Sequence, residues 1–270
     1  MNPTRLRISA TTLDSFRLFK QTEWYSWEKF YQELMGFRSE TPEMRVGSAF
    51  HRIMENPEKY RFQTEFGNEE EDVFVCENIT FSGIDKALQY REERAVTEVK
   101  LVAPFKVGQY EIDLVCKADA VYGRTIWDYK TRYRPFDADK ADDLLMSLQW
   151  KAYCHAFGAR RMVYVVAQLE ETYGSAYNVV DVNTFECYAY PEIESQLRNE
   201  LAEFIGLMEE RYLLPYFQPK TNEVQNSDKN LAPQKPAHSH GRIVPFSESE
   251  VRALTNKSIY QIENEDNFWK

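Results

Sequence analysis

The sequence predicts an α/β protein, and three stretches carry that prediction. Residues 115–131 read as two short strands joined by a turn at Gly123-Arg124. Residues 142–157 read as a helix that leads straight into a buried apolar strand, 160–170. Residues 192–212 place Ile193, Leu197, Leu201, Phe204, Ile205 and Met208 at helical spacing, the pattern of a long helix covering one face of a sheet.

From the N-terminus, 8–34 is expected to be helical, with Ser9 and Thr11 or Thr12 as caps and Leu13, Phe16 and Phe19 on the apolar side. The rings of 24–34 either pack two helices together or offer a surface on which bases stack. Residues 44–54 form a helix in which Gly47 and His51, four apart, share a face. The acidic run 69–72 reads as a solvated loop, 73–76 and 79–81 as short strands, and 83–95 as a helix. Strands follow at 96–102 and 110–119, giving three to four neighbours that start antiparallel. Glu98, on the first of these, is either an additional acid of a site or a lysine-paired surface residue.

After the hairpin comes a loop with Arg132 and Arg134, then an acid-rich stretch, 137–143. It lacks the glycine and terminal glutamate of an EF-hand loop and fits a capped helix start instead. In the helix that follows, Gln149 and Tyr153 lie four apart on one face. A further strand falls within 177–190. From 218 to 246 the chain is rich in Pro, Asn, Gln, Ser and Lys and reads as a flexible linker; a C-terminal tail, 247–270, can form a short helix over 247–254 and bind a partner.

Composition narrows the classes. The 270 residues carry 43% hydrophobic and 28% charged side chains, ordinary for a globular protein, and no apolar run long enough to span a membrane. The N-terminus lacks the apolar core of a secretory signal, so a cytoplasmic location is expected. Cys76, Cys116, Cys154 and Cys187 are too dispersed for a disulfide framework, a zinc ribbon or an iron–sulfur cluster, and are expected to be buried free thiols. A net charge of −10 argues against a nonspecific nucleic-acid coat. It leaves room for a local basic channel made by Arg132, Arg134, Lys151, Arg160 and Arg161, whose grip on a polyanion would weaken steeply with salt.

The hairpin holds the most informative residues. Asp119 lies on its first strand, and Asp128 and Lys130, two apart on the second, leave the same face. Hard carboxylate oxygens hold a divalent cation, which screens phosphate charge and supplies hydroxide near neutral pH; an adjacent ammonium stabilises charge as it develops. An imidazole in the donor set also tolerates Mn²⁺.

In order, Gly47-x-x-x-His51, Asp119, Asp128-x-Lys130 and Gln149-x-x-x-Tyr153 resemble the motifs of the PD-(D/E)XK nuclease superfamily, in its RecB-like exonuclease branch. The resemblance implies a restriction-endonuclease-like αβββαβ core with a mixed central sheet flanked by helices, in a nuclease domain spanning 1–217. It implies that His51, Asp119, Asp128 and the Tyr129 carbonyl bind Mg²⁺ or Mn²⁺. Lys130 would orient the attacking water and stabilise the phosphorane, and Gln149 and Tyr153 would hold their helix over the site and touch DNA. One departure is Cys116-Lys117-Ala118, where the branch often has a glycine. The activity implied is metal-dependent DNA exonuclease cleavage in recombination or repair, a phage-encoded origin included, with the C-terminal tail as the contact for a recombination partner. A structure- or site-specific endonuclease of the same superfamily and a catalytically idle DNA-binding scaffold are the alternatives.

Overall fold

The computed structural model describes residues 4–37, 39–66 and 69–219. The chain runs β1 (Thr4–Ser9), α1 (Ala10–Gln21), α2 (Trp27–Leu34), α3 (Pro42–Glu55), α4 (Pro57–Tyr60), β2 (Arg61–Phe66), β3 (Glu69–Cys76), β4 (Ile79–Ser82), α5 (Asp85–Leu88), β5 (Val96–Val107), β6 (Tyr110–Tyr122), β7 (Thr125–Arg132), α6 (Ala138–Met146), α7 (Leu148–Phe157), β8 (Arg161–Tyr173), β9 (Ala176–Tyr188) and α8 (Ile193–Glu210). Among the described residues, nine strands form one mixed sheet in the order β1-β6-β7-β8-β9-β4-β3-β2, with β5 paired to β6. The α/β class and the mixed sheet expected from the sequence are therefore present.

Helices cover both faces. Met162, Tyr164 and Val166 of β8 join an apolar cluster with α1, α7 and α8, while Val163, Val165 and Ala167 join a second cluster with α3, β3 and β4. That alternation is what a strand buried on both sides requires. Cys76, Cys116, Cys154 and Cys187 are all buried and free, and burial pushes the thiols of Cys116, Cys154 and Cys187 up to about 12.

Local pattern misplaced several elements. The stretch 8–34 is not one helical region: β1 precedes it, burying Leu6 and Ile8 in parallel register with β6, a pairing across more than a hundred residues. Two separate helices follow, capped by Ser9 and Ser26, whose hydroxyls accept from Thr12 N–H and Lys29 N–H. The acidic run 69–72 is not a loop but the start of β3, held by backbone pairing to β2, which the sequence did not announce. Of the helix expected over 83–95 only α5 forms. Gly83, at φ 67°, lies where a Cβ would come within 2.9 Å of the Val179 carbonyl, and Arg91 beyond it donates to the carbonyls of Met54 (2.7 Å) and Glu55 (3.1 Å) at the end of α3. The linker and tail, 218–246 and 247–270, lie outside the described residues apart from 218–219.

The aromatic stretch packs helices. Phe30, 1% exposed, has its ring centroid 5.3 Å from Phe19, 5.9 Å from Trp27 and 6.1 Å from Phe16. Phe30→Ala should therefore cost about 3–5 kcal/mol of stability by urea or thermal unfolding. A loss under 1 kcal/mol would return these rings to the role of a stacking surface.

Candidate active site

The site forms where β6 loses its neighbours. Along the edge of β6 opposite β5, β1 pairs with 110–115 and β7 pairs only with 120–122, so 116–119 have no strand partner on that side. On the other edge, Thr97 faces Ala120 and Val99 faces Ala118, leaving Glu98 opposite Asp119 but out of the ladder at φ 55°. Asp119 thus sits at a fork between β6 and β7. Its side chain bridges the fork: Oδ2 accepts the Tyr129 N–H at 2.9 Å. Glu98 turns away to pair with Lys117 instead of joining the site. Ala118, in place of the glycine, is fully buried in the α1/α7/α8 cluster.

His51, on α3, approaches from the second cluster and places Nδ1 3.2 Å from Asp119 Oδ2. Gly47, one turn earlier, faces Thr131 of β7; a Cβ there would stand 3.5 Å from Oγ1, an ordinary contact, so the close approach of α3 does not depend on glycine. Asp128 and Lys130 do leave the same face of β7, with Nζ 2.7 Å from Oδ2. Asp128 is 2% exposed, and that oxygen is buried without a well-directed hydrogen bond. Tyr164, its register neighbour on β8, is fully buried with an unpartnered hydroxyl.

The four charged groups tune one another. Burial, the largest influence on each carboxyl, pushes both up. For Asp119 it is outweighed by the hydrogen bond and charge of His51, by Lys130 and by the Tyr129 amide, so this carboxyl stays below its usual value. For Asp128 burial wins over Lys130, and the carboxyl stays above its usual value. Burial lowers His51 and Lys130, but Asp119 and Asp128 more than restore them: His51 is held above 6.5 and Lys130 above 10.5. Opposite shifts on two neighbouring acids make this cluster the candidate functional site.

Gln149 and Tyr153 share a face of α7 as expected, and Gln149 Nε2 donates to the Tyr153 hydroxyl at 3.0 Å. Tyr153 is 3% exposed, too deep for the DNA contact expected of it; it supports Gln149 from inside the core. The helix expected over 142–157 is two helices broken at Ser147. The acid-rich start is capped as foreseen, Asp137 accepting the Lys140 N–H at 3.0 Å.

The basic residues divide. Arg132 and Arg134 stand just beyond Lys130; Arg132 packs over Phe136 and leaves Nε buried without a partner. Lys151 points to α8, donating to Gln196 Oε1 at 3.3 Å. Arg161 pairs with Glu186 at the start of β8, five residues before Val166, which is level with Lys130. That is about 16 Å along the strand. Arg160 precedes it in the chain, so the structure does not bring Lys151, Arg160 or Arg161 to the site. Asp14 of α1 was missed: its charge acts on Lys130, and its carboxylate accepts the Leu148 N–H at 2.7 Å. Only the tertiary contact between α1 and α7 reveals it.

Residues 28–215 match the sequence model of the PD-(D/E)XK nuclease superfamily, and the chain belongs to that superfamily. No curated protein matches it. Among solved structures it is similar to SSO0001, at 15% identity and a TM-score of 0.45 over 74% of this chain and 76% of that one. It is also similar to an alkaline exonuclease from Laribacter hongkongensis, at 10% identity and a TM-score of 0.35, covering 84% and 95% of the two chains. A candidate exonuclease from Eubacterium rectale aligns at 14% identity and a TM-score of 0.41 over 86% and 91%. Among the described residues no helix is long and apolar enough to cross a membrane.

Proposed function

We propose that this protein is a divalent-metal-dependent deoxyribonuclease that digests DNA from its ends, as the RecB-like branch does, in recombination or repair. The observation that carries the reading is the convergence of His51, Asp119, Asp128 and Lys130 from three elements on one fork in the sheet.

Among the described residues no three His, Cys, Asp or Glu side chains stand grouped around a common point, because His51 is turned to Asp119 and Asp128 to Lys130. The donor set nonetheless fits a hard cation. Asp128 Oδ2 is a buried oxygen to which the nearby Lys130 ammonium gives no well-directed hydrogen bond, and a carboxylate–carboxylate–imidazole set suits Mg²⁺ or Mn²⁺. His51, Asp119 and Asp128, with the Tyr129 carbonyl, would hold it. A bound cation would neutralise phosphate charge and lower the pKa of the attacking water.

The chain's own groups do the rest. Lys130, whose ammonium form is favoured by Asp128 and Asp119 beside it, would donate to the water or to a phosphoryl oxygen. Arg132 and Arg134 supply phosphate contacts next to it, and Gln149 presents its amide from α7. The Asp119 link to the Tyr129 amide fixes the separation of β6 and β7, hence of the two acids.

A digestion of linear duplex and covalently closed circular DNA, each with Mg²⁺ and Mn²⁺, tests the reading. Loss of the linear DNA with the circle spared is expected. Cleavage of the circle would instead make the protein an endonuclease, and tight binding without cleavage a scaffold. A second test needs no substrate. At a hundredfold excess over its dissociation constant, Mn²⁺ should stabilise the protein by about 2.7 kcal/mol in a thermal shift. The gain should vanish in Asp119→Ala and should fade as the pH falls to 6, where His51, held above 6.5, is protonated and cannot ligate. A gain of equal size at pH 6 and pH 8 would remove His51 from the donor set.

A further inference from the structure

Helix α7 starts anew at Leu148 after the break at Ser147, and its first two amides are satisfied from outside the helix. Ser147 Oγ accepts the Gln149 N–H at 3.1 Å, and Asp14 Oδ1, reaching across from α1, accepts the Leu148 N–H at 2.7 Å. The same Asp14 oxygen takes the Arg17 Nε at 2.9 Å. Arg17 is 6% exposed and spends a second donor on Gln21 Oε1 at 2.9 Å, so Asp14 is itself held in place by a buried guanidinium. Its negative charge meets the positive end of α7, which adds to the hydrogen bond. The residue after Leu148 is Gln149, and the Asp14 charge also reaches Lys130. The joint between α1 and α7 sets the first turn of the helix that presents Gln149.

We propose that Asp14 is a positioning residue for DNA binding: without touching substrate, it pins the first turn of α7 and thereby aims the Gln149 amide at the DNA strand. The proposal rests on the reading of Gln149 as a DNA contact given above. Position 14 then affects substrate binding more than the chemical step, because the acids and Lys130 lie on β6 and β7 and keep their own supports. An asparagine at 14 retains the accepting Oδ1 and should serve nearly as well; an alanine should not.

The test uses the full chain and the variants Asp14→Ala, Asp14→Asn, Gln149→Ala and the double variant Asp14→Ala/Gln149→Ala, with kcat and KM measured on linear duplex DNA in Mg²⁺ well below each melting temperature. Gln149→Ala and Asp14→Ala are each expected to raise KM about tenfold with kcat within about twofold of wild type. Asp14→Asn should stay within about threefold in KM, and the double variant should be no worse than Gln149→Ala alone, since both losses run through one amide. A lowered melting temperature with unchanged KM in Asp14→Ala would make Asp14 a structural cap and overturn the proposal, as would losses that multiply in the double variant. If Gln149→Ala itself leaves KM unchanged, the assignment of α7 to DNA fails and the proposal with it; a Gln149 effect without an Asp14 effect removes the proposal alone. Should Asp14→Ala not fold, Asp14→Leu fills nearly the same space without an acceptor and leaves the Leu148 amide uncapped. The same rise in KM is expected there, and a wild-type KM would overturn the proposal.

Discussion

Asp128→Ala should reduce cleavage of linear DNA by about a thousandfold or more while leaving the fold intact. The carboxylate is 2% exposed, presses against Lys130 and has a buried oxygen without a directed hydrogen bond. Its removal takes away both a metal donor and the means of fixing the cation against the phosphate, an effect concentrated in the transition state. The stability side has a definite sign. Unfolded, this carboxyl titrates near 3.8; folded, burial holds it higher despite Lys130. Between those two values the native protein binds the extra proton, so stability falls as pH rises through the native pKa, and the full penalty is present at neutral pH. Asp128→Asn carries no such charge. In EDTA at pH 7 it should melt at or above the wild-type temperature, and its lead should shrink as the pH is lowered towards 4. A variant that melts well below wild type at pH 7 would show that Asp128 is there to hold the fold, and the catalytic assignment would lose its main support.

Lys130→Met should have the second largest effect, with kcat lowered about a hundred- to a thousandfold. The methionine keeps the stem and deletes the ammonium, so Asp128 is left buried beside Asp119 without its nearest cation. Removing one member of a buried pair costs several kcal/mol, but the Lys130 side chain is 36% exposed, so about 1–3 kcal/mol is expected. Mn²⁺ should return most of that stability without returning activity, because a cation can neutralise the acids but cannot donate a proton-bearing group to the phosphate. Recovery of activity with Mn²⁺ alone would reduce Lys130 to a counter-ion.

The parts of this molecule that were legible in the sequence are those set by neighbours along the chain. The turn at Gly123, with φ 58°, the two-residue spacing of Asp128 and Lys130, the shared face of Gln149 and Tyr153 and the apolar stripe of α8 all follow from local geometry. What escaped depends on partners far away in sequence. β1 exists because β6 offers it a parallel edge, β3 begins in an acidic run because β2 pairs with it, and α6 and α7 are separate because Asp14 and Ser147 take up the new helix's amides. Position in the site obeyed the same division. The order of motifs gave His51, Asp119, Asp128 and Lys130, but it could not show that Tyr153 is buried or that Arg161 is neutralised by Glu186.

The two acids of the fork are bound to the protein in different ways, and this constrains how such a chain can change over generations. Asp119 closes the gap between β6 and β7 with its own side chain, and losing it would orphan the Tyr129 amide in a residue that is 2% exposed. Asp128 closes nothing. A lineage giving up cleavage can thus discard the aspartate at 128 and remain folded, whereas one discarding the aspartate at 119 must first find another acceptor for that amide. Silent descendants of this protein should therefore keep the first acid and vary at the second.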